Sequence, residues 1–365
     1  MFAESWSKSR SLFREKISSI GGVYEEIPLE SRGPQDGLLT IGIGLVSFKD
    51  GVVVPPKDEL FDNLILHIAG VHGVEGFAGC ATQLSWLDAV SESPSKHRKN
   101  LPNHTAVFIN GVNPWGMSWL RRSNANNVDL NRNAVDFAGP LPNSDSYESI
   151  HPILLDTSWR DVFWLPRLVW IAIKKGTDFL TQALTGGQYV EPKGFYFGGK
   201  VWQSELIFVK RYLETRFSHT KHVFAIDVHT GLGPFGQESL FTHDSVSENE
   251  IQNLSKKLGL KISYNEVDGK TSYHANGGFA GVVFLAFPSA RVDYLLQEFG
   301  TFSGFQVLAG LYYEHHRWLR GTFGPGVSAS ESLKSLFFPT DFGWRRNLLV
   351  KSRELLDRVQ KNGFQ

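Results

Sequence analysis

The chain reads Leu64-Ile65-Leu66-His67-Ile68-Ala69-Gly70-Val71-His72-Gly73-Val74-Glu75 at the stretch that decides its fold. The first six residues form a mostly apolar run that ends at a glycine, as expected of a buried β-strand that stops where a loop begins. The loop then places His72 and Glu75 three residues apart. Because both side chains can bind a metal ion, the end of this strand is a candidate functional site.

Similar apolar runs predict further strands at 105–110, 223–228, 282–287 and 294–299. Apolar residues at helical spacing predict helices at 77–90, 202–217, 248–258 and 302–320. Strands that alternate with helices are typical of an α/β sandwich with a mainly parallel, largely buried sheet. In such folds ligands bind beyond the carboxyl ends of the strands, which is where the motifs of this chain lie.

We expect one domain over residues 1–365, with one segment that fits the alternating pattern poorly. Residues 139–199 are rich in tryptophan, proline and glycine and carry Trp159, Trp164 and Trp170. We interpret this segment as an insertion within the domain. It either roofs the pocket or forms a packed surface subdomain, and the second interpretation is favoured.

The composition is that of an ordinary globular protein, with 41% apolar and 20% charged residues. Lys+Arg and Asp+Glu balance at 37 each, so the charge does not indicate a nucleic-acid partner. A single cysteine, Cys80, excludes an internal disulfide framework and suits a reducing compartment. The first twenty residues lack the pattern of a secretory signal, and no apolar run is long enough to span a membrane. We therefore expect a cytoplasmic protein without a membrane partner, and the sequence leaves the oligomeric state open.

Two later segments carry further candidate site residues: Val128-Asp129-Leu130-Asn131-Arg132-Asn133 and Ile226-Asp227-Val228-His229-Thr230-Gly231. With His72 and Glu75, the second segment's His229 makes a set of two imidazoles and one carboxylate. A catalytic zinc site usually has three such protein ligands and a water, whose pKa the metal lowers to about 7. The set predicts one Zn²⁺ per chain, although it suits other divalent metals as well.

The same segments supply supporting groups. Zinc-binding histidines usually donate their second N–H to a carboxylate, and Asp129 and Asp227 are available for this. Asn131 and Arg132 form a pair suited to holding a carboxylate ligand, because the planar guanidinium meets it with two hydrogen bonds.

Taken in order, G-V-H-G-V-E, N-P-W-G at 113–116, V-D-L-N-R-N and D-V-H-T-G resemble the carboxypeptidase A-like zinc metallopeptidase superfamily. The matching segments run from about residue 64 to residue 301. The resemblance implies a three-layer α/β/α sandwich with a mixed, mainly parallel eight-stranded sheet. It also implies one catalytic zinc, with His72, Glu75 and His229 as ligands and Asp129 orienting the first histidine.

The resemblance also implies how the substrate is bound and cleaved. Asn131 and Arg132 fall on the pair that binds the substrate's terminal carboxylate. Arg122 falls where an arginine polarises the scissile carbonyl, with Arg121 the alternative. Tyr273 resembles the tyrosine that closes over bound substrate. Glu298 falls on the general base, which takes a proton from the attacking water and passes it to the leaving amine.

The resemblance further implies that residues 277–290 line the pocket for the substrate's side chain. No acidic residue occurs there, which disfavours basic side chains, and Phe279, Val282, Val283 and Phe284 suit an apolar pocket.

Three functional hypotheses follow. The first is a zinc carboxypeptidase that cleaves the last amide bond of a small peptide. The second is a deacylase that resembles aspartoacylase or succinylglutamate desuccinylase and cleaves an N-acyl amino acid. The third, from a different class, is an inactive module that binds carboxylates. The retained ligand set and Glu298 disfavour the third hypothesis, because a silent module has no chemical use for them.

Overall fold

The computed structural model describes residues 1–92, 101–156, 163–243, 246–264 and 276–364, and the backbone of 266–267 and 270–271. Its strands are β1 (Val23–Arg32), β2 (Leu38–Lys49), β3 (Val52–Val54), β4 (Asn63–Ala69), β5 (His104–Asn110), β6 (His222–Gly231), β7 (Glu238–Thr242), β8 (Glu266–Val267), β9 (Lys270–Thr271) and β10 (Arg291–Gly300). All except β8 and β9, which pair with each other, belong to one sheet.

The helices are α1 (Trp6–Ser19), α2 (Gly76–Glu92), α3 (Pro114–Trp119), α4 (Asp145–Glu148), α5 (His151–Leu154), α6 (Trp164–Lys175), α7 (Thr177–Thr185), α8 (Ser204–Arg216), α9 (Glu248–Leu258), α10 (Ala280–Ala286), α11 (Gly304–Leu319), α12 (Ser328–Phe337) and α13 (Phe342–Asn362). Short 3₁₀ turns lie at Asp58–Leu60 and Leu130–Arg132. Within the described ranges, none of these helices has the length and apolarity that crossing a membrane requires.

The main sheet has eight strands in the order β1-β2-β5-β4-β6-β10-β7, with β3 paired to β2. Its four central strands, β5, β4, β6 and β10, are parallel, and the flanking pairs are antiparallel. The mixed eight-stranded sheet expected from the sequence is confirmed. Because β4, β6 and β10 are parallel neighbours, their carboxyl ends meet at one edge of the sheet.

Helices cover both faces of this sheet. In β4, Ile65 and Ala69 belong to one hydrophobic core, with residues of α1, α2 and α13, whereas Leu64, Leu66 and Ile68 belong to the other, with residues of α8 and α10. Successive side chains of a strand point to opposite faces, so a strand buried on both faces is apolar throughout. The result is the predicted three-layer α/β/α sandwich.

One predicted strand is wrong. Residues 282–287 fall largely within α10, where Val282, Val283 and Ala286 are buried while Leu285 is exposed. A short apolar run cannot be assigned to strand or helix by its hydrophobicity alone. Burial at i, i+1 and i+4 with exposure at i+3 is helical, and it arises because α10 packs against α8.

Candidate active site

The predicted ligands come together at the carboxyl edge of the sheet. His72 and Glu75 lie in the turn between β4 and α2, and His229 lies near the end of β6. The parallel pairing of β4 with β6 sets Ala69 opposite Val228, so the loop after β4 lies beside His229. Each of the three side chains offers a ligand atom, and these atoms lie within 4.8 Å of one another.

The two imidazoles flank Glu75 in the same way. His72 Nδ1 lies 2.8 Å from Glu75 Oε1, and His229 Nδ1 lies 3.0 Å from Glu75 Oε2. On the far side of each ring, His72 Nε2 lies 3.0 Å from Asp129 Oδ1, and His229 Nε2 lies 3.1 Å from Asp227 Oδ2. Both rings thus direct Nδ1 to a shared centre and Nε2 to a carboxylate.

The electrostatics of this group fit a cation at its centre. Burial opposes ionisation of Glu75, but His72 and His229 outweigh it and lower the pKa of the carboxyl. Burial likewise opposes ionisation of Asp129, whose pKa Arg122 and His72 hold well below its usual range. Burial disfavours protonated His229, yet Asp227 and Glu75 raise its pKa well above the ordinary value. Glu75 and Asp129 are therefore ionised and place negative charge beside the two rings.

A divalent metal fits these residues. His72 Nδ1 is buried and faces the shared centre, where its 2.8 Å contact with Glu75 Oε1 lacks hydrogen-bond geometry. Two imidazole nitrogens and one carboxylate form a common donor set for catalytic zinc, and the carboxylates behind the rings favour the tautomers that leave Nδ1 unprotonated. Within the described parts of the chain, this is the only cluster of its kind.

Glu298 lies next to this group on the neighbouring strand. The register of β10 against β6 sets Glu298 opposite His229, and Glu298 Oε1 accepts a hydrogen bond of 2.9 Å from the Leu232 N–H. Burial, reinforced by the negative charge of Glu75, raises the pKa of Glu298 to about 8. A carboxyl that titrates near neutrality suits proton transfer in either direction.

The two adjacent arginines have different surroundings. Arg122 lines the cavity described below; its Nε donates to Asp129 Oδ2 and its Nη1 to Glu75 Oε1, each at 3.0 Å. Arg121 is buried, donates to Glu314 Oε1 at 2.9 Å and lies over the Trp318 ring. Of the two candidates, the structure brings Arg122 to the site and holds Arg121 in a separate buried ion pair.

Asn131 and Arg132 are also separated. Asn131 lines the cavity, and its Oδ1 accepts a hydrogen bond of 2.8 Å from the Phe279 N–H. The Arg132 side chain is fully buried and donates to the carbonyls of Asn131 and Thr185, each at 2.7 Å. The predicted carboxylate-binding pair therefore presents Asn131 to the cavity, while the Arg132 guanidinium lies behind its wall.

Two further predicted residues complete the set. Asp227 lies two residues before His229 on β6, and its Oδ2 accepts a hydrogen bond of 2.7 Å from the Tyr294 hydroxyl. This bond fixes the carboxylate behind the His229 ring. Tyr273 lies outside the described residues.

A cavity of about 600 Å³ opens from this cluster. Its lining includes His72, Glu75, Arg122, His229 and Glu298, and most of the remaining lining comes from α6, α7 and α11. Helices α6 and α7 belong to the 139–199 segment, so the segment forms a wall of the site and not only the packed surface subdomain that was favoured. The residues expected to form the apolar pocket instead lie in or beside α10, where Phe279, Val282 and Val283 are buried in the core.

Tyr196 is a further residue of the site, which no sequence motif indicated. This residue lines the cavity, and its ring lies 5.1 Å from the Arg122 guanidinium, within the range of a cation–π contact. Its backbone has a φ of 51°, which is uncommon for a residue other than glycine. The run Gly194-Phe195-Tyr196-Phe197-Gly198-Gly199 contains a glycine-flanked aromatic cluster, which is the only signal the sequence offered.

A comparison with protein families matches residues 2–351 to the family described as "Protein of unknown function (DUF2817)". The chain belongs to this family. The match includes every residue of the DUF2817 site described above. No curated protein matches the chain.

Solved structures similar to this DUF2817 chain include carboxypeptidases and an amidase. Bovine thrombin-activatable fibrinolysis inhibitor, in complex with tick carboxypeptidase inhibitor, is 13% identical, with 98% of this chain and 97% of that chain covered and a TM-score of 0.47. Carboxypeptidase A from Helicoverpa armigera is 12% identical, with 96% of this chain and 73% of that chain covered and a TM-score of 0.44. Murein-tripeptide amidase MpaA from Escherichia coli O157 is 17% identical, with 84% of this chain and 95% of that chain covered and a TM-score of 0.35. At such identities the likeness concerns the fold alone.

Proposed function

We propose that this chain is a zinc-dependent hydrolase that cleaves an amide bond next to a free carboxylate, as a carboxypeptidase does. One observation carries the proposal: two histidines direct Nδ1 to the carboxylate of Glu75, in the wall of a cavity that Glu298 also lines. The substrates we propose are small peptides or N-acyl amino acids.

The ligand residues are held for this task. Asp129 forms a hydrogen bond with His72 Nε2, and Asp227 lies 3.1 Å from His229 Nε2, so each ring has a carboxylate behind it. Zinc bound to His72, Glu75 and His229 would supply a water of lowered pKa and would polarise the scissile carbonyl.

Glu298 is the proposed general base. The Leu232 N–H holds Glu298 Oε1, and the carboxyl faces the cavity beside His229. It takes the proton of the attacking water and returns it to the nitrogen of the leaving amine. Because positive charge at the ligand cluster offsets the charge of Glu75, the base form of Glu298 is favoured in the loaded enzyme.

Arg122 is the proposed electrophilic group. It is the arginine whose side chain lines the cavity near the ligands, and the Tyr196 ring supports its guanidinium. Negative charge develops on the carbonyl oxygen during attack, and a fixed cation stabilises that charge more in the transition state than in the ground state.

A deacylase acting on N-acyl amino acids is the second candidate. The cavity wall favours this candidate, because apolar residues of α6, α7 and α11 take up most of its surface. The Thr185 carbonyl in that wall already accepts a hydrogen bond from Arg132. A peptide substrate needs partners for its backbone amides, whereas an acyl group does not.

The proposal is tested by metal content and by substrate range together. We expect about one zinc per chain in the wild type and loss of that zinc in His229→Ala. His222→Ala is the matched control, because His222 lies at the other end of β6, paired with Asp293, and should leave the zinc in place.

Blocked dipeptides and N-acyl amino acids then separate the two enzyme functions. Release of a C-terminal amino acid from dipeptides supports a carboxypeptidase, and cleavage restricted to N-acyl amino acids supports a deacylase. Absence of zinc in the wild type, with none taken up on addition, would reject both.

A further inference from the structure

The cavity changes character away from the ligand cluster. Its lining residues from α6, α7 and α11 are Leu165, Leu168, Val169, Ala172, Ile173, Thr177, Leu180, Thr181, Leu184, Thr185, Gly304, Phe305, Val307, Leu308 and Leu311. None of these is charged, and most are aliphatic. The ionisable lining residues are His72, Glu75, Arg122, His229 and Glu298, which all belong to the site described above.

The aliphatic residues form stripes along the helices. In α6 they recur from Leu165 to Ile173 at the spacing of one helical face, which rises about 12 Å at 1.5 Å per residue. Such a face normally packs on a protein core. Here it borders a cavity, and Val169 and Ile173 remain 48% and 76% exposed.

The polar groups of these helices limit what can occupy the cavity. Among the described lining residues of α6, α7 and α11, the only polar side chains are Thr177, Thr181 and Thr185. A peptide chain buried there would leave backbone N–H and C=O groups without enough partners, which is costly. An alkyl chain has no such groups, and it removes the exposed aliphatic surface from water.

We propose, on the basis of the hydrolase function above, that the substrate is an N-acyl amino acid with a long aliphatic acyl chain. The acyl chain lies between α6, α7 and α11, the amide lies beside Glu298 and Arg122, and the amino-acid carboxylate lies near Asn131. Water is added across the amide C–N bond: the acyl carbon gains the oxygen and the nitrogen gains a proton. The products are a fatty acid and a free amino acid.

The first test is a chain-length series on the zinc-loaded chain. N-acetyl-, N-butanoyl-, N-octanoyl- and N-dodecanoyl-alanine are compared by kcat/KM. Each methylene that enters the cavity should raise kcat/KM by about fourfold, until the cavity is filled. A preference for the acetyl compound, or no dependence on chain length, would overturn the proposal.

Two variants test where the chain binds. Ala172→Trp places a large side chain in the cavity next to α6. Ile173→Asp puts a charge on an exposed part of the cavity wall, where folding is not at risk. Each should lower the ratio of dodecanoyl to acetyl kcat/KM at least tenfold. Val190→Trp is the matched control, since Val190 is an exposed residue of the same segment outside the cavity lining, and its ratio should stay at the wild-type value. An unchanged ratio in Ile173→Asp would contradict this binding site.

Calorimetric binding separates this proposal from the hydrolase function. N-dodecanoyl-alanine and N-acetyl-alanine are titrated into Glu298→Gln. We expect tighter binding of the dodecanoyl compound with a negative heat-capacity change, lost in Glu298→Gln combined with Ile173→Asp. If this binding is observed but the wild type hydrolyses neither compound, the result supports the acyl site and rejects the hydrolase. Hydrolysis that favours the acetyl compound would reject the acyl site and leave the hydrolase in place.

Discussion

At the scale of single residues, Glu298 shows how a side chain gains its chemistry from its neighbours. Its position opposite His229 is set by strand register, and one oxygen is held by the Leu232 N–H. Burial and the negative charge of Glu75 raise its pKa to about 8. The motif around Glu298 identified the residue, but the pKa depends on Glu75, which is 223 residues earlier in the sequence.

Glu298→Gln should lower kcat by about 10²–10⁴-fold, because glutamine has the same shape but cannot transfer the proton. The amide oxygen of the introduced glutamine can still accept from the Leu232 N–H, so zinc content and melting temperature should stay unchanged. Steady-state kinetics on the best substrate of the screen measures the effect. Glu238→Gln, on the adjacent strand β7, is the control and should keep wild-type turnover; retention of more than a tenth of activity in Glu298→Gln would refute its role as base.

At the scale of elements, the loop that carries His72 and Glu75 is held by direct backbone contact. Gly73 N–H donates to the Arg122 carbonyl at 3.1 Å. A Cβ on Gly73 would lie 2.1 Å from the carbonyl carbon of Gly116 and 2.4 Å from the Arg121 oxygen. Only glycine allows this approach, which brings the ligand loop and the Arg122 segment together.

Gly73→Ala should therefore destabilise the fold by about 1–3 kcal/mol, since the clashing atoms are backbone and cannot rotate away. It should also weaken zinc binding, because the loop must move away from Gly116. Urea unfolding and elemental analysis measure the two effects. Gly37→Ala is the matched control, because a Cβ at Gly37 meets no atom within 4 Å, and equal stability of the two variants would count against this account.

Strands β1 and β2 illustrate which elements sequence patterns miss. Strand β1 carries Pro28 and several charges, which suits a strand at the sheet edge but obscures the pattern. Strand β2 contains Gly44, where a Cβ would lie 2.6 Å from Ile17 and 2.7 Å from Phe13 of α1. The glycine weakens the strand pattern locally. It is needed because α1 packs closely on the strand at this point.

At the scale of the whole molecule, burial of His104 depends on the C-terminal helix. His104 begins β5, stacks on Phe48 at 4.8 Å and lies 3.2 Å from the Gln360 amide of α13. Its Nδ1 lies 2.7 Å from the Pro102 carbonyl, which fits a neutral ring that donates there and accepts from Gln360. Burial lowers the pKa of His104 to about 4.

This pKa predicts a specific acid sensitivity. The folded chain keeps His104 neutral, whereas the unfolded chain binds a proton below a pH of about 6.5. The free energy of unfolding has its full value above that pH and decreases as the pH falls towards 4. The decrease amounts to about 2 kcal/mol at pH 5. Urea unfolding at pH 7 and pH 5 should therefore show a smaller pH effect in His104→Gln than in the wild type. Because the other buried histidines occur in both proteins, an identical pH effect would contradict this origin.

Sequence patterns alone predicted the central strands, the loops that follow them and the candidate ligands His72, Glu75 and His229. These features rest on short-range patterns: apolar runs, a glycine at a strand end and a fixed spacing of donor residues. Parallel strands bring their carboxyl ends to one edge, so the pattern alone implied that the segments meet.

Only the tertiary structure decided which side chains face the cavity. Arg121 and Arg122 are equivalent by sequence, yet Glu314 holds one of them in a buried pair, 193 residues away in sequence. Arg132 turns to the Thr185 carbonyl, and the aliphatic wall comes from α6, α7 and α11. Side-chain direction and pocket shape depend on contacts between distant segments, and no local pattern of residues encodes these.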